Sequence, residues 1–459
     1  MTPATSLNHA GPNVEPGTVL TPVSEPPVRM RDVVRTWLPL AASWLVMGLE
    51  MPLVGAIMAR LADPEIHLAA YGGVVFPVAL IVEAPVIMLL AASVALAKDA
   101  ASGRLIYRFM MVIGAALTVL HALLAFTPLF DAVVVPLLGP PEAVIEPARL
   151  GLKIMLPWTW AIGYRRYHQG LLIRYGRSHH VSIGTVLRLI GVGGTAAVVG
   201  FGLGASGIVA ATTAISVGVT VEALYSAWAA LPVTRVRLVN ATPLATPLTM
   251  RPFLVFYLPL VLTGLLSLLV QPIGSAAIAR MPDALASLAA WPVANGLLFM
   301  LRSVSFALNE VVVALLDRPG AFRALRRFTM VLAGSLLVIT LAVAFTPLAQ
   351  FWFGTVSGLG PELTALAILG SAWALLWPAI DAFRNLIQGV AVYARRTAAI
   401  SASMILFLIV SAGLLALGVI TQRFTALPTA MVAFVVATLA QVTWLWWQVR
   451  VEVRELAAA

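Results

Sequence analysis

Two stretches, "WTWAIGYRRYHQG" (158–170) and "WPAIDAFRNLIQG" (377–389), set the same residue types at the same spacing. Trp158, Arg165, Gln169 and Gly170 in the first correspond to Trp377, Arg384, Gln388 and Gly389 in the second, at an offset of 219 residues. Positions i, i+7 and i+11 fall on one helical face, so each stretch predicts a Trp/Arg/Gln stripe. A guanidinium is a planar, permanently charged fork matched to carboxylate or phosphate. The chemistry expected of these residues, with Arg302 as a third guanidinium, is holding an anion. The structural alternative is that each Arg bridges to a neighbouring helix and each Trp packs. Asp381, one turn from Arg384, could hold that arginine within its own helix.

Other ionisable residues also fall inside apolar runs: Glu50, Glu83, Arg166, Arg188 and Glu310, with Glu222 nearer a helix end. Each costs about 3 kcal/mol or more at a bilayer centre unless it faces a cavity or a partner. Glu50 and Glu83 have no counterpart in the second half, where the equivalent positions are Val270 and Ser303. A carboxylate in a low-dielectric cleft is suited to carrying a coupling ion. Glu50, Glu83, Glu310 and Asp381 are therefore the candidates for coupling to a proton or sodium ion. Neutralisation of Arg302 or Arg165 is the plainer role for the first two.

The elements that hold these groups follow from composition. Hydrophobic residues make up 61% of the chain and charged residues 10%, with a mean hydropathy of +0.97, outside the soluble range. Runs of about 20 apolar residues span roughly 30 Å of hydrocarbon as helices, and they lack the alternation of a β-barrel. Twelve spans are expected, near 36–60, 68–97, 105–129, 148–173, 181–202, 206–230, 252–280, 288–316, 328–350, 363–393, 398–419 and 427–448.

The chain is also a tandem duplication. "LPLAASWLVMGLEMPLVGAIMARLAD" (38–63) aligns without a gap to "LPLVLTGLLSLLVQPIGSAAIARMPD" (258–283), and "AFTPL" occurs at 125–129 and 344–348. Six spans per half is even, so the repeats are parallel. The expected fold is an all-α polytopic membrane protein with 12 transmembrane helices in two parallel six-helix repeats. The domains are a disordered cytoplasmic tail (1–32), an N-terminal bundle (33–230), a cytoplasmic linker (231–251), a C-terminal bundle (252–450) and a cytoplasmic tail (451–459). Loops such as "RYGRSHH" (174–180) and "DRPGAFRALRR" (317–327) are basic, whereas 131–147 and 349–362 hold no Lys or Arg but for the flanking helices. By the positive-inside rule both termini are cytoplasmic.

Several signals mislead. "GLGASG" (202–207) fits a dinucleotide fingerprint, but that motif acts only between a strand and a helix, and here it is a turn between spans. His179 and His180 lie in a basic loop without further ligands nearby. The absence of cysteine excludes disulfides and thiolate sites. The net charge of +10 resides between apolar spans and orients them, so nucleic acid is not an expected partner. No nucleophile, base and orienter set appears, and neither an enzyme nor a cofactor is implied.

The two six-span repeats, each with a proline-containing first helix followed by "LAA" (68–70 and 288–290), resemble the multidrug/oligosaccharidyl-lipid/polysaccharide (MOP) flippase superfamily and its multidrug and toxic compound extrusion (MATE) branch. "LAAYG" (68–72), "QGLLIRYGR" (169–177) and "RNLIQGVAVYARR" (384–396) are similar to the progressive ankylosis protein branch, which is linked to organic anion export. The resemblance implies a V-shaped pair of bundles around a cleft lined by spans one, two, seven and eight. It also implies a first-helix acid as coupling group, a place held here by Glu50 rather than aspartate. The arginines depart from the acid-lined sites of cationic-drug exporters.

Three functions compete: a secondary active, alternating-access exporter of a small, anionic organic solute; a flippase of a lipid-linked phosphate using the same arginines; and a proton-coupled multidrug cation antiporter, which needs unpaired acids. The expected setting is a bacterial inner membrane, with the chain acting as a monomer in the lipid bilayer on a small-molecule substrate.

Overall fold

The computed structural model describes residues 27–458; most of the expected N-terminal tail lies outside the described residues. Among these residues the secondary structure is helical throughout. The main segments are α1 (Met30–Met58), α2 (Pro64–Leu96), α3 (Ala100–Phe126), α4 (Glu142–Ile154 with Leu156–Arg174), α5 (His179–Gly202), α6 (Gly207–Arg237), α7 (Met250–Ile278), α8 (Ala284–Leu315), α9 (Ala321–Phe345), α10 (Pro361–Trp373 with Trp377–Tyr393), α11 (Thr397–Thr421) and α12 (Ala426–Gln448). A short helix, α13 (Arg450–Ala458), follows.

Ten of these segments are long and apolar enough to cross a membrane, and α10, bent by 42°, makes an eleventh when counted as one span. The sequence predicts twelve. The difference is α4, whose two pieces carry Glu142, Glu146, Arg149, Lys153, Arg165, Arg166 and Arg174. Its apolar character is diluted by the residues with the most chemistry.

Proline sets the breaks. A proline ring clashes with the carbonyl four residues earlier. Pro52 and Pro272 therefore interrupt their helices at Gly48 and Leu268, where α1 and α7 each break. The two AFTPL copies also fold alike. Thr127 and Thr346 are both extended, and each Oγ1 accepts from the N–H two residues on at 3.2 Å. Each also donates to the carbonyl four residues back at 2.6 Å. Asp63 and Asp283, which precede α2 and α8, both take the left-handed conformation (φ 48° and 56°).

Two seams join the halves. Val33 and Trp37 of α1 pack with Leu308, Val312 and Phe328 of α8 and α9, and Trp37 Nε1 donates to the Val304 carbonyl at 2.8 Å. Reciprocally, α7 lies against α2 and α3: Tyr257 Oη donates to the Pro85 carbonyl, and Phe253 meets Phe109 edge to face at 4.8 Å. Where α2 crosses α8, a Cβ on Gly72 would lie 2.6 Å from Pro292, so only glycine allows that approach.

The expected boundaries shift at three places. Helix α1 begins at Met30, so the end of the expected 1–32 tail is helical. Helix α6 continues to Arg237, because the chain stays helical beyond Pro232. The rest of the linker docks on the α2–α3 turn, where Leu244 N–H donates to Asp99 Oδ2 at 2.9 Å. The expected 451–459 tail is helical through Ala458 and is tied by an Arg396–Glu452 ion pair of 2.5 Å.

At the Lys/Arg-poor end, two repeat-matched arginines cross between the halves. Arg60 Nη2 donates to the Thr355 and Val356 carbonyls at 2.5 and 2.9 Å. Arg280 donates to the Pro136, Leu137 and Leu138 carbonyls at 2.7, 3.0 and 3.0 Å. Each thereby caps the C-terminal end of a short helix, where carbonyls lack partners and the dipole favours a cation. The chain beyond each capped end turns at Gly139 or Gly358, both left-handed (φ 62° and 73°). A Cβ on Gly358 would stand 2.7 Å from Arg60 Nη1.

Candidate functional site

A cavity of about 460 Å³ lies between the halves. Segments α1, α2, α7 and α8 line it, as the resemblance implies, but so do α4, α5, α6, α10, α11 and α12. Of the expected binding residues, Trp158, Arg165, Arg302, Trp377 and Arg384 line it, as do the acids Glu50, Glu83 and Asp381.

The rest of the predicted set lies elsewhere. Gln169 turns away and donates to Glu222 Oε1 at 3.0 Å. Gln388 is half-buried outside the cavity lining. Glu310 is exposed and accepts from Trp44 Nε1 at 3.4 Å, also outside the lining. The Trp/Arg/Gln stripe is therefore not one functional surface. The three positions stay within about 40° of one another round the helix, but each Gln lies four residues, about 6 Å, further along the axis than its Arg, beyond the cavity lining.

The N-terminal half holds a self-paired network. Arg165 Nη1 donates to Glu222 Oε2. Arg188 reaches Glu222 through Nη1 at 3.5 Å and Glu50 through Nη2 at 2.6 Å. Thr185 Oγ1 adds a contact to Glu222 at 3.5 Å. Glu83 is 3% exposed, its Oε2 has no hydrogen-bond partner, and the charges facing it are Arg166, Arg165 and Arg188. Three cations thus stand with three acids; Arg188 spends both terminal nitrogens on protein carboxylates, and Arg165 spends Nη1.

The C-terminal half differs. Asp381, with a fully buried side chain, accepts from Arg302 Nε and from Arg384 Nε, the latter at 2.8 Å. Both arginines are anchored from the back, through Nε. Their Nη pairs make no ion pair or hydrogen bond to the protein among the described residues. Asn385 fixes the turn by donating to the Asp381 carbonyl at 2.8 Å and to Ser305 Oγ at 3.3 Å. The Arg302 guanidinium lies 3.9 Å from the Trp377 ring centroid, a cation–π distance. Trp377 stacks on Phe434 at 5.6 Å, and its buried Nε1–H has no protein acceptor. Two cations here share one acid beside an aromatic wall.

Sequence reasoning passed over Glu222 and Arg188 as site members. A depth signal existed: Arg188 lies 9 residues into α5 from His179, and Glu222 lies 10 residues before Pro232 in the antiparallel neighbour. Similar depth on adjacent antiparallel helices makes a pair geometrically available.

No family model and no curated protein sequence matches the chain. Solved structures do. A multidrug resistance MATE family transporter of the MOP superfamily, in an inward-facing conformation, aligns over 93% of this chain and 99% of its own, with a TM-score of 0.69 at 16% identity. The lipid II flippase MurJ, in an inward closed conformation, aligns over 90% of this chain and 87% of its own, with a TM-score of 0.66 at 15% identity. A MOP superfamily transporter from Pyrococcus furiosus, described as having a binding pocket of reverse polarity, aligns over 94% of this chain and all of its own, with a TM-score of 0.57 at 16% identity. The chain has the fold of these MATE-like transporters and, with its many long apolar helices, is an integral membrane protein.

Proposed function

We propose that this protein is a secondary active transporter that works by alternating access and exports a small organic anion, with Arg302 and Arg384 as the anion-binding groups. The observation that supports this most strongly is the pair of guanidiniums held only through Nε, with their forks free beside the cavity. A transporter fold around a mid-membrane cavity gives the setting. The Pyrococcus furiosus transporter described as having a pocket of reverse polarity shares that fold. Arg165 takes a supporting role, since Glu222 already occupies it.

A cation antiporter needs unpaired acids. Here Glu50, Glu222 and Asp381 are each paired with arginine, leaving Glu83 as the coupling candidate, for a proton or sodium ion. A lipid-linked phosphate would use the same forks, and MurJ shares the fold, but a cavity of about 460 Å³ suits a small solute. We place both termini in the cytoplasm and the protein in a bacterial inner membrane as a monomer.

Uptake of labelled benzoate, citrate, pyrophosphate and ethidium into inverted vesicles, with and without a pH gradient, tests the reading. Carboxylate uptake is expected. Gradient-driven uptake of ethidium alone would overturn it, and no uptake of any of these soluble probes, with flipping of a lipid-linked pyrophosphate added to the same vesicles, would favour the flippase.

A further inference from the structure

We propose that the Arg302–Asp381–Arg384 cluster selects anions by valence, taking a monovalent organic anion with an aromatic or apolar body, and that Asp381 is the positioning residue that sets this preference. The inference rests on the anion-transport reading above and specifies its substrate class.

Charge is the first part of the argument. Asp381 is fully buried and touches both arginines, so the cluster carries two positive charges and one negative within a few ångströms. Its local surplus is one positive charge. The acids and bases of the facing wall, Glu50, Glu83, Glu222, Arg165, Arg166 and Arg188, are equal in number and contribute no further surplus while Glu83 carries no coupling ion. A monoanion brings the cluster to neutrality. A dianion would leave one charge uncompensated in a low-dielectric site, which is costly.

The shape of the site is the second part. Both guanidiniums are fixed through Nε on the two oxygens of one carboxylate, which leaves their Nη groups without a protein partner among the described residues in the lining of one cavity, and guanidinium forks match a carboxylate plane. The buried Trp377 Nε1–H, without a protein acceptor, lies in the same wall. Behind it, Trp377 and Phe407 each stack on Phe434, with interplanar angles of 17° and 10°. Phe299 and Phe306 line the approach from α8. Such walls receive a flat apolar body by offset or edge stacking, whereas a hydroxylated polyanion such as citrate would find few partners there.

Asp381 makes no direct contact with substrate in this arrangement. It acts through the arginines, by cancelling one charge and by fixing where the forks point. The test is a ratio. Purified protein in liposomes is assayed for uptake of labelled benzoate and phthalate, which share a ring and differ by one carboxylate. Wild type is expected to favour benzoate. Asp381→Asn raises the surplus to two and should shift the benzoate-to-phthalate ratio toward phthalate by about tenfold, the equivalent of about 1.4 kcal/mol. Asp381→Asn with Arg384→Gln returns the surplus to one and should restore the preference for benzoate at a lower rate. Asp381 as a fold-stabilising residue alone would lower both fluxes together and leave the ratio unchanged. An unchanged ratio in folded Asp381→Asn, or wild type that prefers phthalate, overturns the valence inference while leaving anion transport intact. Absence of any carboxylate flux in wild type overturns the anion reading itself.

Discussion

Replacing Glu222 by Gln removes one charge from the most densely paired part of the molecule. Glu222 is 1% exposed and is approached by Arg165 Nη1, Arg188 Nη1, Gln169 Nε2 and Thr185 Oγ1. The amide keeps the shape and some of the hydrogen bonds but leaves Arg165, itself 5% exposed, without its ion-pair partner. Breaking one side of a buried pair costs about 3–5 kcal/mol. The Arg188–Glu50 contact of 2.6 Å survives, so the loss should fall mainly on Arg165, with Arg188 giving up only its 3.5 Å contact. Reversible unfolding in mixed detergent and SDS micelles measures it. The double variant Arg165→Met with Glu222→Leu replaces the pair by apolar groups and is expected to recover more than half of the deficit, because burying an ion pair costs nearly what it returns. A Glu222→Gln protein as stable as wild type, or a double variant as unstable as the two single losses combined, would show that the pair does not hold α4 to α6 in this way.

Further outcomes follow from the same geometry. Arg384→Lys keeps the charge but loses the fork and should lower anion uptake by about tenfold, the effect of about 1.4 kcal/mol, whereas Arg165→Lys should change uptake little; equal losses in proteoliposome flux would contradict the division of roles. Glu83→Gln should abolish gradient-driven uptake and leave benzoate binding, read by calorimetry, intact; gradient dependence like wild type would remove Glu83 as the coupling group. Asp99 caps α3: hydrogen bonds from the Ser102 side chain, then the Leu244 backbone, hold its carboxyl below the ordinary 3.8. That depressed value contributes stability fully present above 3.8 and lost as pH falls through the folded value, so Asp99→Asn should expose the 238–249 linker to protease at neutral pH. Protection equal to wild type would argue against the cap. Finally, Arg60→Ala with Arg280→Ala should lengthen the distance between spin labels at Glu142→Cys and Glu362→Cys, measured by double electron–electron resonance in this cysteine-free chain; an unchanged distribution would show that the two arginines do not clasp the halves together.

The residues themselves determined the class of protein. Hydropathy fixed helices in a bilayer, because an unpaired backbone is too costly in hydrocarbon, and the matched prolines at 52 and 272 placed the breaks in α1 and α7 through a local clash. The left-handed Asp63 and Asp283 belong to the same local, repeat-matched grammar. Mid-span charges likewise marked the cavity residues Arg165, Arg302, Arg384, Glu50, Glu83 and Asp381 from their cost alone. Pairing, by contrast, belonged to the tertiary structure. Arg165 and Arg384 are equivalent by sequence, yet one has its terminal Nη1 taken by Glu222 from α6 and the other keeps its fork free because Asp381, on its own helix, reaches only Nε. The decision rests on which helix packs where. Helical periodicity specifies a face to within tens of degrees, while a guanidinium is satisfied or left open by an acid a few ångströms away that is 57 residues distant in the chain.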